Sequence, residues 1–198
     1  MEPKKSVKTQ RTVILDPIDG TSNALHGIPF FCTSVALSTG PTLSSTKLGF
    51  VKNLSNKDVF FAEKGHGAYK GKTCLKPSTI TTLSDALISV ELSLPHNQQH
   101  LKRLTPLLLD LKKIRHLGAT ALEICYVASG ALDAFVDLRN IARSVDLAAA
   151  YIILGEAGGV MVTPDKKKID LRLDAAERTF LVAATNSAIC NDILSLIR

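Results

Sequence analysis

Alternation of apolar and polar residues with a period of two dominates the first third of the chain. Gly, Pro, Asn and Ser separate the alternating runs, as expected for strands joined by turns. The pattern predicts strands over 12–15, 30–38, 47–51 and 58–62. Strands that follow one another without intervening helices favour antiparallel pairing. We therefore expect 12–69 to form a largely antiparallel sheet.

After Pro77 the pattern changes to strands that alternate with helical periods. The predicted strands cover 87–91, 132–137, 160–162 and 180–184. The first two predicted helices are 96–111, with a kink or restart at Pro106, and 119–129, closed by Gly130. The third is capped by Ser144 and ends at Gly158–Gly159, and the fourth is capped by Asn186 and ends near Ile197.

The change of pattern between 77 and 84 predicts two closely packed lobes, 1–80 and 81–198. The first is a largely antiparallel sheet and the second alternates helices with strands. The fold class that follows is α+β with α/β.

Composition supports a folded globular protein, with 198 residues, 45% hydrophobic and 21% charged. No window approaches the roughly 18 consecutive apolar residues of a membrane span, and no apolar segment follows the charged start, so we expect a cytoplasmic protein without membrane spans. The net charge of +6 suits an anionic small substrate. Nucleic acid is not expected as a partner, since only 5% of the residues are aromatic.

The four cysteines are far apart and include no CxxC pair, which argues against a zinc site formed by them. We expect buried, reduced thiols at the positions Cys32, Cys74, Cys125 and Cys190.

The segment 15–23, Leu-Asp-Pro-Ile-Asp-Gly-Thr-Ser-Asn, carries the most chemical information. Asp-Pro and Asp-Gly are strong turn dipeptides, so a tight turn or hairpin is one interpretation. The other is a cation site, in which Asp16, the Ile18 carbonyl and Asp19 converge as oxygen ligands suited to Mg²⁺. The amides of Gly20, Thr21 and Ser22 would then form a nest for phosphate oxygens.

Asp146 offers a third carboxylate, in the first turn of a predicted helix. An acidic residue there usually stabilises the helix, although an N-terminus also favours bound anions. Asp146 is a candidate ligand only in combination with the carboxylates of the first motif.

In combination these residues resemble the inositol monophosphatase family of Mg²⁺-dependent phosphatases. The first family signature is similar to residues 16–21, and the second to 145–149 followed by 155–159, with Val145 where many members have Trp. Segments 63–69 and 117–121 also resemble family elements, so the resemblance extends from about Thr12 to the C-terminus. It implies a layered alternating α/β sandwich and a homodimer.

The resemblance also implies roles for individual residues. The metal ligands would be Asp16, the Ile18 carbonyl, Asp19 and Asp146. The phosphate would be held by Gly20, Thr21 and Ser22, and the Thr21 hydroxyl would orient water. The substrate would contact Gly118, Ala119, Thr120 and Asp137. The segment 135–140 is more similar to that of archaeal enzymes that accept both inositol phosphate and fructose bisphosphate than to that of animal inositol monophosphatases. Arg139 is then either a clamp on a second phosphate or a surface cation.

One departure concerns the start of the chain. Family members carry two helices, a Gly-Glu-Glu metal ligand and a water-activating acid before the first signature, whereas only fifteen residues precede Asp16 here. The resemblance therefore implies either a truncation or ligands from elsewhere. It also implies a sheet face without its covering helices, with Phe31, Val35 or Phe61 exposed.

The function expected from these residues is Mg²⁺-dependent hydrolysis of inositol monophosphate, fructose 1,6-bisphosphate or both, by a metal-activated water. One alternative enzyme is a 3′(2′),5′-bisphosphate nucleotidase, which shares the signatures. The alternative of another class is a noncatalytic phosphate-binding or dimerisation module.

Overall fold

Two β-sheets and the helices packed against them make up the computed structural model, which describes residues 11–92 and 99–197. In the first sheet every strand is antiparallel to the next. Its strands are β1 (Thr12–Asp19), β2 (Cys32–Ser38), β3 (Thr46–Asn53), β4 (Val59–Glu63), β5 (Ala68–Lys70) and β6 (Thr73–Cys74). A short helix α1 (Thr21–Leu25) follows β1, and a 3-10 turn (Leu43–Ser45) precedes β3.

The second sheet is mixed and has the strand order β10-β11-β9-β7-β8. Strand β7 is parallel to both of its neighbours, and the other pairings are antiparallel. Its strands are β7 (Leu87–Val90), β8 (Lys113–Arg115), β9 (Ala134–Arg143), β10 (Val160–Val162) and β11 (Arg178–Ala184). The remaining helices are α2 (Gln99–Asp110), α3 (Thr120–Ala128), α4 (Ser144–Ala157) and α5 (Ser187–Leu196).

Alternating side chains of the second sheet bury both of its faces. Phe135 and Leu181 belong to the core shared with α3, α4 and the first sheet, whereas the next residues, Val136 and Val182, belong to the core formed with α2 and α5. The layers are therefore sheet, helices, sheet, helices. This confirms the predicted layered α/β sandwich, and the two patterns of the sequence correspond to the two sheets.

The first sheet buries one face against α3 and α4 and leaves the opposite face, here called the outer face, open. Exposed apolar side chains on this face form a row across neighbouring strands, with register pairs such as Phe50 opposite Phe61. They are Val13, Leu15, Leu48, Phe50 and Phe61, each 39–66% exposed. Val35, on the same face, and Phe31 are partly buried. An exposed apolar row of this kind is a candidate surface for association.

Several predicted boundaries need correction. Ser144 was predicted as the N-cap of α4 but is the first residue of the helix. The N-cap is Arg143, and its backbone N–H donates to the Asp146 carboxylate at 2.8 Å. Helix α2 runs through Pro106 without a restart, and the first part of the predicted helix 96–111 falls outside the described residues. Cys74 is exposed, since it lies on the two-residue edge strand β6.

Other boundaries are confirmed. Asn186 caps α5 by accepting the Ile189 N–H at 3.0 Å, and Gly130 follows α3 with a φ of 73°. None of the helices described in 11–92 and 99–197 has the length and apolar character to cross a membrane.

Candidate metal and phosphate site

The first motif lies where β1 turns into α1. The pairing of β1 with β2 shifts register between Asp16 and Asp19, so the strand is irregular at the residues that carry the carboxylates. Gly20 then adopts a φ of 83°, and a Cβ there would lie 2.9 Å from the Ala119 Cβ and 3.1 Å from the Phe30 carbonyl oxygen. Only glycine satisfies both the left-handed conformation and this close approach.

Asp19 is held by the beginning of α3. Its Oδ1 accepts the Thr120 N–H at 3.2 Å and its Oδ2 accepts the Ala121 N–H at 2.7 Å. Burial, together with the smaller effect of the Asp16 and Asp146 charges, raises the pKa of Asp19 to about 7 against the lowering effect of the Ala121 hydrogen bond. The first signature and the segment 117–121, which lie about a hundred positions apart, are thus joined through one carboxylate.

Asn23 makes the second connection between these segments. Its Nδ2 donates to the Phe30 carbonyl at 2.8 Å and to the Leu117 carbonyl at 2.6 Å. The side chain therefore ties α1 to the loop that precedes α3. Thr21 bonds more locally, since its hydroxyl donates to the Ile18 carbonyl at 2.9 Å.

Asp146 stands in the first turn of α4 and pairs with Arg143. The Arg143 Nη2 lies 3.0 Å from Oδ1 of Asp146, and the Arg143 Nε lies 3.2 Å from Oδ2. Burial raises the pKa of Asp16, and the neighbouring charge of Asp146 adds to this rise. The three carboxylates of Asp16, Asp19 and Asp146 therefore interact electrostatically.

A hard divalent cation fits this donor set in chemistry and charge. The three carboxylates and the Ile18 carbonyl provide only oxygen ligands, and among the described residues one ion pair, that of Arg143 with Asp146, offsets their negative charge. In residues 11–92 and 99–197, no three acidic, His or Cys side chains already stand in a ligand cluster. Among the proposed ligands, Asp19 accepts hydrogen bonds from the α3 amides and Asp146 pairs with Arg143.

A cavity of about 400 Å³ opens beside these groups. It brings together nine of the residues predicted from the sequence, namely Asp19, Gly20, Thr21, Ser22, Gly118, Thr120, Asp137, Arg139 and Asp146. Asp16, Ile18 and Ala119 are not part of its lining. Ala119 is buried behind Gly20, and Ile18 points its side chain toward solvent with 44% exposure.

The far wall of the cavity holds a buried charge network. Asp137 is fully buried and accepts the Arg139 Nε at 3.0 Å and the Arg139 Nη2 at 2.8 Å. The same Nη2 lies 3.4 Å from Glu91, whose other oxygen lies 3.4 Å from the His116 Nδ1. Arg139 is therefore a buried cation positioned by two carboxylates.

Four lining residues with ionisable side chains, Glu91, His116, Arg143 and Arg178, are among those that had not been predicted. Glu91 and His116 follow the parallel strands β7 and β8, whose carboxyl ends meet at one edge of the sheet. Glu91, the polar last residue of the predicted strand 87–91, carried a signal in the sequence, whereas His116 carried none because the three-residue strand β8 was not predicted.

Glu123 supports the loop that bears Gly118 and Thr120. The carboxylate accepts the Ala119 N–H at 3.2 Å and the Leu117 N–H at 3.4 Å, and it also accepts the Ser89 hydroxyl. Burial raises the pKa of Glu123 to about 8, an effect that these hydrogen bonds offset only in part. Glu123 thus joins the loop to strand β7.

We expect the stability of the cation-free protein to fall between about pH 4.5 and pH 8. The folded state raises the pKa of Glu123 above its ordinary value of 4.5, so the stabilising preference for the protonated form is lost as the pH rises through about 8. Glu123→Gln should reduce the difference in Tm between these two pH values by roughly 2–8 °C. Thermal melts in EDTA at both pH values test this, with Glu63→Gln, on an exposed residue, as the control. An unchanged slope in Glu123→Gln would contradict it.

Comparison with known proteins places this geometry in a family. The family model described as "Inositol monophosphatase family" matches residues 2–197. The chain belongs to the inositol monophosphatase family. Solved structures with the same fold include the extragenic suppressor protein suhB of Bartonella henselae, at 30% identity and a TM-score of 0.83 over 96% of this chain and 71% of that one. Another is the Thermotoga maritima IMPase, at 28% identity and a TM-score of 0.81 over 98% and 72%.

Two curated proteins that are similar to this chain are named for different activities. A fructose-1,6-bisphosphatase/inositol-1-monophosphatase of Methanothermobacter thermautotrophicus is 37% identical, with 93% of this chain and 66% of that protein covered. A bifunctional NADP phosphatase/NAD kinase of Methanococcus maripaludis is 32% identical, with 89% and 34% covered. The chain thus spans 66% of the length of the first relative and 34% of the second.

Proposed function

We propose that this chain hydrolyses a phosphate monoester of inositol or a sugar, in a reaction that depends on Mg²⁺. The observation that carries the proposal is the meeting of Asp19, Asp146 and the Gly20–Thr21–Ser22 turn in one cavity of about 400 Å³. Metal-assisted hydrolysis of a phosphate ester needs carboxylates that bind a cation, and it needs backbone amides nearby that bind the phosphate. The named activities of the phosphatase relatives support the same reaction class.

Asp16, Asp19, Asp146 and the Ile18 carbonyl are the proposed ligands. Bound there, Mg²⁺ would lower the pKa of water and neutralise charge on the phosphate. Gly20 lets the backbone approach a phosphate closely, because it carries no Cβ. The Thr21 hydroxyl, which donates to the Ile18 carbonyl, is placed to orient the attacking water.

The rest of the cavity is proposed to bind the alcohol part of the substrate. Gly118, Ala119 and Thr120 form the loop beside Asp19, and Asp137 holds Arg139 at the far wall. Asp137 fixes two of the three guanidinium nitrogens of Arg139, which, within the part of the chain that the structure describes, leaves Nη1 for a second phosphate. The pocket would then accept both a monophosphate and a bisphosphate.

Phosphate release from inositol monophosphate, fructose 1,6-bisphosphate and adenosine 3′,5′-bisphosphate, each with Mg²⁺ and with EDTA, tests the proposal. Turnover of either of the first two that EDTA removes is the expected result. Turnover of the adenosine compound alone would favour a nucleotidase, and no Mg²⁺-dependent turnover of any would favour a noncatalytic module.

Arg139→Ala should weaken use of the bisphosphate more than use of the monophosphate. Loss of a charge-assisted contact costs on the order of 1.5–3 kcal/mol, or about ten- to a hundredfold in kcat/KM. Measurement of kcat/KM for both substrates is the test, with Arg115→Ala as a control because that exposed side chain bonds only its neighbour's carbonyl among the described residues. Equal losses for both substrates would give Arg139 a structural role.

We further propose a cytoplasmic homodimer. Support for the dimer comes from the apolar row on the outer face. Support for a reducing location comes from the free, buried thiols of Cys32, Cys125 and Cys190.

A further inference from the structure

The two oxygens of Asp146 are held in different ways. Oδ2 accepts the backbone N–H of Arg143 at 2.8 Å, which caps helix α4, and also the Arg143 Nε at 3.2 Å. Oδ1 is held by the Arg143 Nη2 at 3.0 Å, and that is its one hydrogen bond within the described part of the chain. Movement of the guanidinium would therefore free Oδ1 while the helix cap stays in place.

We infer that Arg143 is the counter-cation of Asp146 while no divalent cation is bound, and that it yields Oδ1 of Asp146 when a cation binds. The inference rests on the proposed function, which places Asp146 among the ligands. It assigns to Arg143 a positioning role that sets the affinity of the cation.

Charge balance supports this assignment. The carboxylates of Asp16, Asp19 and Asp146 interact electrostatically, and two of them, Asp19 and Asp146, line the cavity. In residues 11–92 and 99–197, the ion pair of Arg143 with Asp146 is the one salt bridge that any of these three carboxylates makes. A divalent cation and the guanidinium therefore compete for the same negative charge.

Solvent exposure of the Arg143 side chain lowers the free-energy cost of its release from Asp146. The Arg143 side chain is 52% exposed and that of Asp146 is 17% exposed. A guanidinium that swings away from Asp146 remains solvated, so its release leaves no unpaired buried cation. Arg139 differs, since its side chain is 12% exposed and fixed by Asp137.

Replacement of Arg143 by glutamine should tighten Mg²⁺ binding about three- to tenfold and lower the Tm in EDTA, because a competitor for Oδ1 and a counter-charge are both lost. The matched control is Arg178→Gln. Arg178 lines the same cavity but donates to the Ile141 carbonyl at 3.3 Å rather than to a carboxylate. Its loss should change Mg²⁺ affinity less than about twofold once about 0.5 M salt screens long-range charge.

The measurements are Mg²⁺ affinity by calorimetry, Mn²⁺ binding by electron paramagnetic resonance, and Tm in EDTA. Arg143→Lys keeps the charge without the two-pronged contact and should give an intermediate affinity. Mg²⁺ affinity of Arg143→Gln equal to that of Arg178→Gln, or weaker than that of the parent, would overturn this inference and leave the proposed function intact. A parent protein that binds neither cation would overturn both.

Discussion

Replacement of Asp19 by asparagine is expected to lower phosphate release at least about a hundredfold and to weaken Mg²⁺ binding strongly. Asp19 is the one proposed ligand whose carboxylate also bonds the first amides of α3. Asparagine keeps one acceptor oxygen for these amides but removes the negative charge. The main loss should therefore fall on the cation and the transition state.

The fold should tolerate this change at a modest cost. An amide NH₂ facing the Ala121 or Thr120 N–H costs about 1–3 kcal/mol. A compensating gain follows from the raised pKa of Asp19, because a neutral side chain avoids the burial of charge. Thermal melts, Mg²⁺ calorimetry and phosphate release on the same sample separate the two effects.

Asp192→Asn, on an exposed residue of α5, is the matched control for loss of one negative charge. It should leave all three measurements unchanged. An Asp19→Asn protein that binds Mg²⁺ as tightly as the parent would remove Asp19 from the ligand set.

The strands of the first sheet could be predicted because each has one buried and one more open face. In β2, buried and partly exposed residues alternate without a break from Cys32 to Ser38. Strands β5 and β6 have only three and two residues, too few for a period to be visible. Strand β9 extends to Arg143, past its apolar part, because pairing with β11 holds its polar end.

The candidate site was predictable where its chemistry is local in the sequence. Residues 16–22 carry two carboxylates, a glycine and two hydroxyls within one turn, and the structure places most of them at one cavity. Glu123 was not predictable, since its role depends on Ser89 and the loop before α3 meeting in space. Arg143 was missed because arginine is not a usual N-cap, and the capping oxygen comes from Asp146.

The second large effect concerns association of the 198-residue polypeptide. We expect it to associate with a second copy of itself through the outer face at micromolar concentrations. Val13, Phe50 and Phe61 are 66%, 41% and 39% exposed and belong to one apolar surface that crosses several paired strands. Apolar side chains in such a continuous row gain free energy when a second surface removes them from water.

Replacement of Val13, Phe50 and Phe61 together by threonine should shift the polypeptide to monomer, because threonine keeps the preference for β-structure and removes most of the apolar area. Light scattering and sedimentation across a concentration series measure the shift. Leu109→Gln is the control, since Leu109 is 83% exposed on helix α2 and lies apart from this face. Association that persists in the triple variant, or a parent that stays monomeric, would show that the outer face is not the surface through which two copies meet; dissociation caused by Leu109→Gln would place the contact on α2 instead.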